Sequence, residues 1–303
     1  MFFLEKDQKV YEIRGVKVGG QPGVNPTVLI GSVFYEGHKV VIDGKTGEFD
    51  RKKTETLMND AEGLSDKYGN PFMLDVIGPS GIAFEEYISF VSEMTDAPFL
   101  IDGVTEEARI AAVNYVSEVG LHERVIFNSI NQNTNPSEID VLKRSKVKSA
   151  IIFTYNLRNP TIEGRLSLIK GGTEKSLLYV SEESGIEKIL IDTCVLDPPD
   201  LGPATRAILL VKSEFGYPAG CGSGNAIDLW GKLKELDKTT CKMCIGSGLA
   251  FPASLGADFL LFGPIEHAKY VFPVCAMFNS YVAYAIKQYG LKPAKSHPLY
   301  RIF

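Results

Sequence analysis

Asp75, Asp102, Asn128, Asp192 and Asn225 each stand in or just beyond a short apolar run, each in a different part of the chain. Acid and amide groups of this kind accept hydrogen bonds and carry partial charge, but nothing beside them in sequence supplies a cluster of Arg or Lys for a phosphate. No His/Cys set with zinc spacing accompanies them. Cys241 and Cys244 form an isolated C-x-x-C, better read as packing residues, and no intrinsic metal is expected. A ring of Asp and Asn without bases suits a neutral heterocycle rich in N–H donors. The 2-amino-4-oxo pyrimidine edge of a pterin offers an amino group and a ring N–H side by side, and one carboxylate accepts both. Taken singly, an Asp at a strand end serves equally well to cap the following helix, and Asn225 to begin a helix from Ala226 to Leu236. It is their recurrence at several strand ends that favours a site.

To converge, these residues need a scaffold that brings strand ends together. Eight short β-rich runs are visible: Val28 to Val33, Phe72 to Ile77, Phe99 to Asp102, Val125 to Ile130, Ala150 to Tyr155, Lys188 to Cys194, Tyr217 to Cys221 and Asp258 to Phe262. Helix patterns lie between them at Arg51 to Tyr68, Ile82 to Met94, Glu106 to Val119, Thr173 to Glu183 and Pro203 to Phe215. Gly69, Gly120, Gly185 and Gly216 follow as stop signals, and Thr105 before Glu106 and Glu107 is a helix start. Eight such units in about 235 residues fit an α/β fold of the closed (β/α)8 barrel type, where chemistry gathers at the carboxyl ends of the strands. A doubly wound open sheet is disfavoured, because no G-x-G-x-x-G joins a first strand to its helix and no G-x-x-x-x-G-K-[ST] loop is present. Val10 to Ile13 and Val16 to Val18, turning at Gly15, read as an N-terminal hairpin closing the barrel bottom. With no low-complexity linker, residues 1–303 are one domain.

Composition narrows the function. Lys and Arg number 32 against 37 Asp and Glu, a formal net charge of -5, the opposite of a nucleic-acid binder's basic footprint. The most apolar window, Ala268 to Ile286, carries Lys269, Pro273, Asn279 and Ser280, and reads as a buried helix or subunit contact rather than a membrane span. No secretory signal pattern opens the chain, so a cytoplasmic location without direct membrane insertion is expected.

Leu100-Ile101-Asp102, Phe127-Asn128-Ser129-Ile130, Ile191-Asp192 and Gly222-Ser223-Gly224-Asn225 resemble the pterin-binding barrels, among them dihydropteroate synthases and corrinoid-dependent methyltransferases. Gly19-Gly20-Gln21-Pro22-Gly23, Pro26-Thr27-Val28-Leu29, Phe34-Tyr35-Glu36-Gly37-His38 and Thr95 to Asp102 are similar to the H-subunit family of tetrahydromethanopterin S-methyltransferase and its soluble relatives. Glu107 to Ala112 and Ser117 to Leu121 extend the likeness, which covers essentially the whole chain. The dihydropteroate synthase pattern would place a Lys at the end of strand seven and a Ser-Arg pair at strand eight, where this chain has Gly224-Asn225 and Gly263-Pro264-Ile265.

The resemblance implies that Asp102, Asn128 and Asp192 hold the pterin ring, with Asp192 as the bidentate pyrimidine contact. It also implies that Asn225 faces the methyl-bearing N5 as the catalytic residue; Asp75 is expected as a further pterin contact, and Glu36 and Ser223 as contacts at the mouth. It implies transfer of a methyl group between a corrinoid, carried as methylcobalamin by a partner protein docking on the mouth, and N5 of a tetrahydropterin. No Asp-x-His-x-x-Gly corrinoid motif surrounds His38, His122, His267 or His297. The expected pterin is tetrahydrofolate, in one-carbon metabolism of methylamine or betaine type, with tetrahydromethanopterin as the alternative. A non-catalytic pterin-binding subunit, and a phosphate-binding barrel using Gly220 to Gly224, stand as other readings. Family members are commonly homodimers, and a homodimer is expected.

Overall fold

Turn residues and helix caps cut the chain into repeated strand–helix units, and the computed structural model, which describes residues 3–171 and 175–303, closes them into a barrel. An antiparallel hairpin, β1 (Val10–Ile13) and β2 (Val16–Gly19), comes first. Then follow β3 (Val28–Val33), a small hairpin of β4 (Val41–Asp43) and β5 (Glu48–Phe49), α1 (Arg51–Tyr68), β6 (Phe72–Gly78), α2 (Gly81–Met94), β7 (Phe99–Gly103) and α3 (Glu106–Glu118). Next come β8 (Val125–Ile130), α4 (Pro136–Arg144), β9 (Ser149–Phe153), α5 (Ile162–Lys170), α6 (Leu177–Glu183), β10 (Lys188–Asp192) and α7 (Leu201–Phe215). The chain ends with β11 (Ala219–Cys221), α8 (Ser223–Asp228), α9 (Lys238–Ser254), β12 (Phe259–Pro264) and α10 (Ala268–Ile286). Strands β3, β6, β7, β8, β9, β10, β11 and β12 pair in parallel and close on themselves in that order, the (β/α)8 architecture expected from the spacing.

The expected helices are present with small shifts. Thr105 caps α3 by accepting from the Ala108 N–H, Ser80 caps α2 in the same way, and Asn135 with Glu138 forms a capping box on α4. In the expected helix from Thr173 to Glu183, residues 173 and 174 lie outside the described residues, and α6 starts at Leu177 after its cap Ser176. The expected helix from Ala226 to Leu236 is instead two pieces, α8 and a 3-10 turn over Gly231–Glu235, and Asn225 lies inside α8.

Two apolar cores result from the two faces of the strands. Outward residues pack under the helices, while Val28, Ile30, Met73, Leu100, Ile126, Ile151, Leu190 and Phe259 fill the barrel interior. Ile13 and Val18 of the β1–β2 hairpin join that interior cluster, so the hairpin does plug the bottom. Lys212, fully buried on α7, ties the plug down: its Nζ donates to Gly20 O at 3.0 Å and to both Asp258 oxygens at 2.5 and 2.6 Å. The Gly19 to Gly23 motif belongs to this end. Gly19 has φ +105, and a Cβ there would meet Lys9 O at 2.3 Å. Ala268 to Ile286 forms α10, with its Phe272 side buried and Tyr281 and Tyr284 exposed; among the described residues no helix is long and apolar enough to cross a membrane.

Candidate functional site

Side chains alternate across a strand, so two residues beyond each inward apolar residue comes another inward one, a step closer to the carboxyl end. Ile30, Met73, Leu100, Ile126 and Leu190 are thus followed by Ser32, Asp75, Asp102, Asn128 and Asp192. The polar residues read from the sequence form one layer lining the barrel mouth. Register fixes the neighbours, with Ser32 opposite Asp75 and Asp102 opposite Asn128. None of the aspartates caps a helix; Ser80 and Thr105 perform that role after β6 and β7.

The electrostatics of this layer are those of acids kept from water. Asp75 is 2% exposed; its Oδ2 accepts from Ser32 Oγ at 2.9 Å, and its buried Oδ1 has no partner of normal geometry. Burial pushes Asp75 up to about 6, against the pull of the Ser32 hydrogen bond and of the nearby Asn128 amide. Asp192 is pushed by burial up to about 7, although its Oδ1 accepts the Cys194 N–H at 2.7 Å and Arg165 draws it back. Asp102 is raised well above the usual carboxylate range by burial and by the charges of Asp75 and Asp192, with Arg109 opposing. Burial raises the Cys194 and Cys221 thiols beside Asp192 as well, which leaves them protonated packing groups.

The remaining candidates fall at different distances from this layer. Asn225, exposed in the first turn of α8, donates through Nδ2 to Val195 O at 3.3 Å, which turns its amide toward the loop after β10. Ser223 is fully buried with its hydroxyl donated to Leu261 O at 3.4 Å, so it fastens α8 to β12 instead of opening onto the mouth. Glu36 is exposed in the loop after β3, on the rim. Gly220 and Gly224 are explained by packing: a Cβ at Gly220 would meet Phe259 O at 2.0 Å and one at Gly224 would meet Gly263 N at 2.6 Å. Cys241 and Cys244 pack against the outer core, with Cys241 Sγ at 3.0 Å from Leu233 O.

Several further groups lie near the mouth that the sequence does not single out as site residues, although Arg109 and His38 stand within the motifs quoted above. Arg109 on α3 pairs with Glu138 through Nε at 2.6 Å and donates to Gly103 O at 3.0 Å, beside Asp102. Arg165 on α5 grips both oxygens of Asp200 at 2.7 and 2.6 Å, while its buried Nη1 has no partner. His38 Nε2 lies 3.3 Å from Glu266 Oε1, which joins the loop after β3 to the loop after β12. Each cation comes from a helix and each His–Glu partner from an opposite end of the chain, so no local pattern marks them.

A family description, tetrahydromethanopterin S-methyltransferase MtrH subunit, matches residues 6–294. The chain belongs to the MtrH family. It is 41% identical to the H subunit of tetrahydromethanopterin S-methyltransferase from Methanothermobacter thermautotrophicus, over all of both chains. It is 40% identical to the H subunit of a putative methyltransferase named mtx from Methanosarcina mazei, over 99% of each. Among solved structures, Yersinia pestis dihydropteroate synthase with a sulfonamide drug complex superposes with a TM-score of 0.60 at 14% identity, covering 90% of this chain and 98% of that one; this likeness is one of fold. A methyltransferase family is thus carried on a barrel of the same fold as dihydropteroate synthase.

Proposed function

We propose that the chain transfers a methyl group between N5 of tetrahydromethanopterin and a corrinoid held on a partner protein. The observation that carries this reading is the layer of carboxylates at the mouth, with Asp75 and Asp192 buried without a cation among the described residues and Asp75 Oδ1 unpartnered, in a barrel whose full-length relatives are named for tetrahydromethanopterin methyl transfer. Those names favour tetrahydromethanopterin over the tetrahydrofolate expected from the sequence. Both pterins present the same 2-amino-4-oxo edge to the site.

In this reading Asp192 accepts the pyrimidine N–H pair, its Oδ1 having capacity for a second bond beside the Cys194 N–H. Asp75, with a buried oxygen awaiting a donor, is a principal pterin contact beside Asp192, and Asp102 and Asn128 complete the bowl. Asn225 acts at N5. An amide cannot titrate, but it donates to a neutral nitrogen and accepts from a protonated one, so it stabilises developing charge without supplying a proton of its own.

The corrinoid supplies a cobalt that takes or gives the methyl group. His38 and His297 are buried and each accepts a backbone N–H through Nδ1, from Phe34 and Leu299. With no Asp-x-His-x-x-Gly pattern in the chain, these residues do not fit a resident corrinoid, and the reading assigns it to a partner protein.

The test is methyl transfer from free methylcobalamin to each reduced pterin. The reading expects turnover with tetrahydromethanopterin, and it expects Asn225→Ala to lose far more rate than pterin affinity. Parallel loss in both would remove Asn225 from the N5 role, and binding without any transfer would make the chain a non-catalytic pterin-binding subunit.

A further inference from the structure

Beside the acid-lined bowl, the rim of the mouth holds a groove of about 730 Å³. One wall is the segment after β3 together with the β4–β5 hairpin, presenting Tyr35 and Ile42. The other is Ile77 and Pro79 after β6 and Val104 after β7. This second wall continues the strands that carry the acids: Ile77 is the register partner of Asp102, and the Val104 N–H donates to Gly78 O at 3.2 Å. A ligand seated on Asp75 and Asp102 therefore has the groove two residues away.

The groove is preformed and mainly apolar. Tyr35 stacks on His38 with ring centroids 4.5 Å apart and planes 12° apart, and His38 is held by the Phe34 N–H at 3.0 Å and by Glu266. Phe34 itself sits at φ +65 and stacks on Tyr87 at 4.0 Å, so the platform's base is fixed in a conformation that L residues seldom adopt. Ile42 and Val104 are 64% and 66% exposed, so both leave apolar surface free for a ligand in the groove. Lys39 and Lys45 on the rim are balanced by Glu36 and Asp43, and Asp43 Oδ1 is engaged by the Lys45 N–H at 2.9 Å. Balanced charge with an aromatic platform and aliphatic walls suits a neutral aromatic ring.

We propose that this groove binds the arylamine-bearing substituent on C6 of the reduced pterin, with its ring against Tyr35 and between Ile42 and Val104. This rests on the mouth being the pterin site. Tetrahydromethanopterin and tetrahydrofolate share the arylamine, so the groove recognises a feature common to both, and the acidic or sugar end of either ligand projects past the rim.

The experiment titrates the full chain with tetrahydromethanopterin, tetrahydrofolate and 6-methyltetrahydropterin, which keeps the bicyclic ring and lacks the aryl group. The wild type is expected to bind at least one arylated pterin on the order of thirtyfold more tightly than 6-methyltetrahydropterin, the size of effect that burying one ring face supplies. The double variant Ile42→Ser, Val104→Ser, altered only at exposed positions, is expected to shrink that ratio to a few-fold, on the order of the ring's residual contact, and to leave 6-methyltetrahydropterin affinity unchanged. Equal affinities in the wild type, or an unaltered ratio in the double variant, would overturn the groove while leaving the mouth as the pterin site. Binding of none of the three ligands would overturn the mouth reading and the groove together.

Discussion

At the bottom of the barrel Asp258 is buried against Lys212 and also accepts the Ala219 N–H at 2.9 Å; at the mouth Asp75 and Asp192 are buried as deeply and, among the described residues, neither has an ion pair. The same residue type is therefore used in two ways within one closed sheet. A buried charge whose partner meets both oxygens holds the plug and the strands together. A buried acid that no cation meets, as at Asp192 and at Asp75 with its unpartnered Oδ1, is a cost to the unliganded fold, offset elsewhere, and one that a donor-rich ligand relieves. Evenly spaced strands deliver both ends, and the chemistry placed on them separates stability from binding.

The largest effect is expected at the bottom. Lys212→Met leaves Asp258 buried without its cation and is expected to destabilise the fold by about 3–5 kcal/mol, read from chemical denaturation. Lys212→Met with Asp258→Leu should recover much of that loss. A single variant as stable as the wild type would show that the pair does not secure this end.

At the mouth the sign reverses. Asp192→Asn is expected to weaken pterin binding on the order of a hundredfold, since it removes a charge-assisted bidentate acceptor, and to make the unliganded protein more stable at about pH 8, above the raised pKa. Loss of both affinity and stability would mean that Asp192 is a structural acid like Asp258.

A smaller effect sharpens the same point through pH. Asp192 is raised from 3.8 to about 7 in the folded chain, so the fold binds its proton more tightly than the unfolded chain does, and the stability cost accumulates as pH rises between those values. The stability gap between Asp192→Asn and the wild type is expected to be small near pH 4, to open through pH 7 and to level off above it, reaching a few kcal/mol at most. His297, lowered by burial to about 4, acts with the opposite sign but cancels between the two proteins. A gap independent of pH would mean that the folded carboxyl titrates normally.

Much of this arrangement is legible in the sequence because it is local and periodic. Each barrel strand is an apolar run bounded by a cap or turn, and Asp75, Asp102, Asn128 and Asp192 follow inward apolar residues at a spacing of two. The expected run Tyr217 to Cys221 shortens to Ala219–Cys221, and the expected single helix after Asn225 breaks near Trp230 and Gly231. What the sequence hides is long-range. Arg109 and Arg165 reach the mouth from helices, and His38 meets Glu266 only because β3 and β12 become neighbours when the barrel closes. The unmet hydrogen-bonding capacity of Asp75 Oδ1 is likewise a three-dimensional property, which no spacing rule ranks above the other acids.

A calorimetric titration of the purified chain with tetrahydromethanopterin, with tetrahydrofolate in a parallel run, tests whether the mouth binds a reduced pterin. The account predicts saturable one-to-one binding of tetrahydromethanopterin that Asp192→Asn and Asp75→Asn each weaken. Absence of binding by either pterin, or binding indifferent to both substitutions, would contradict it.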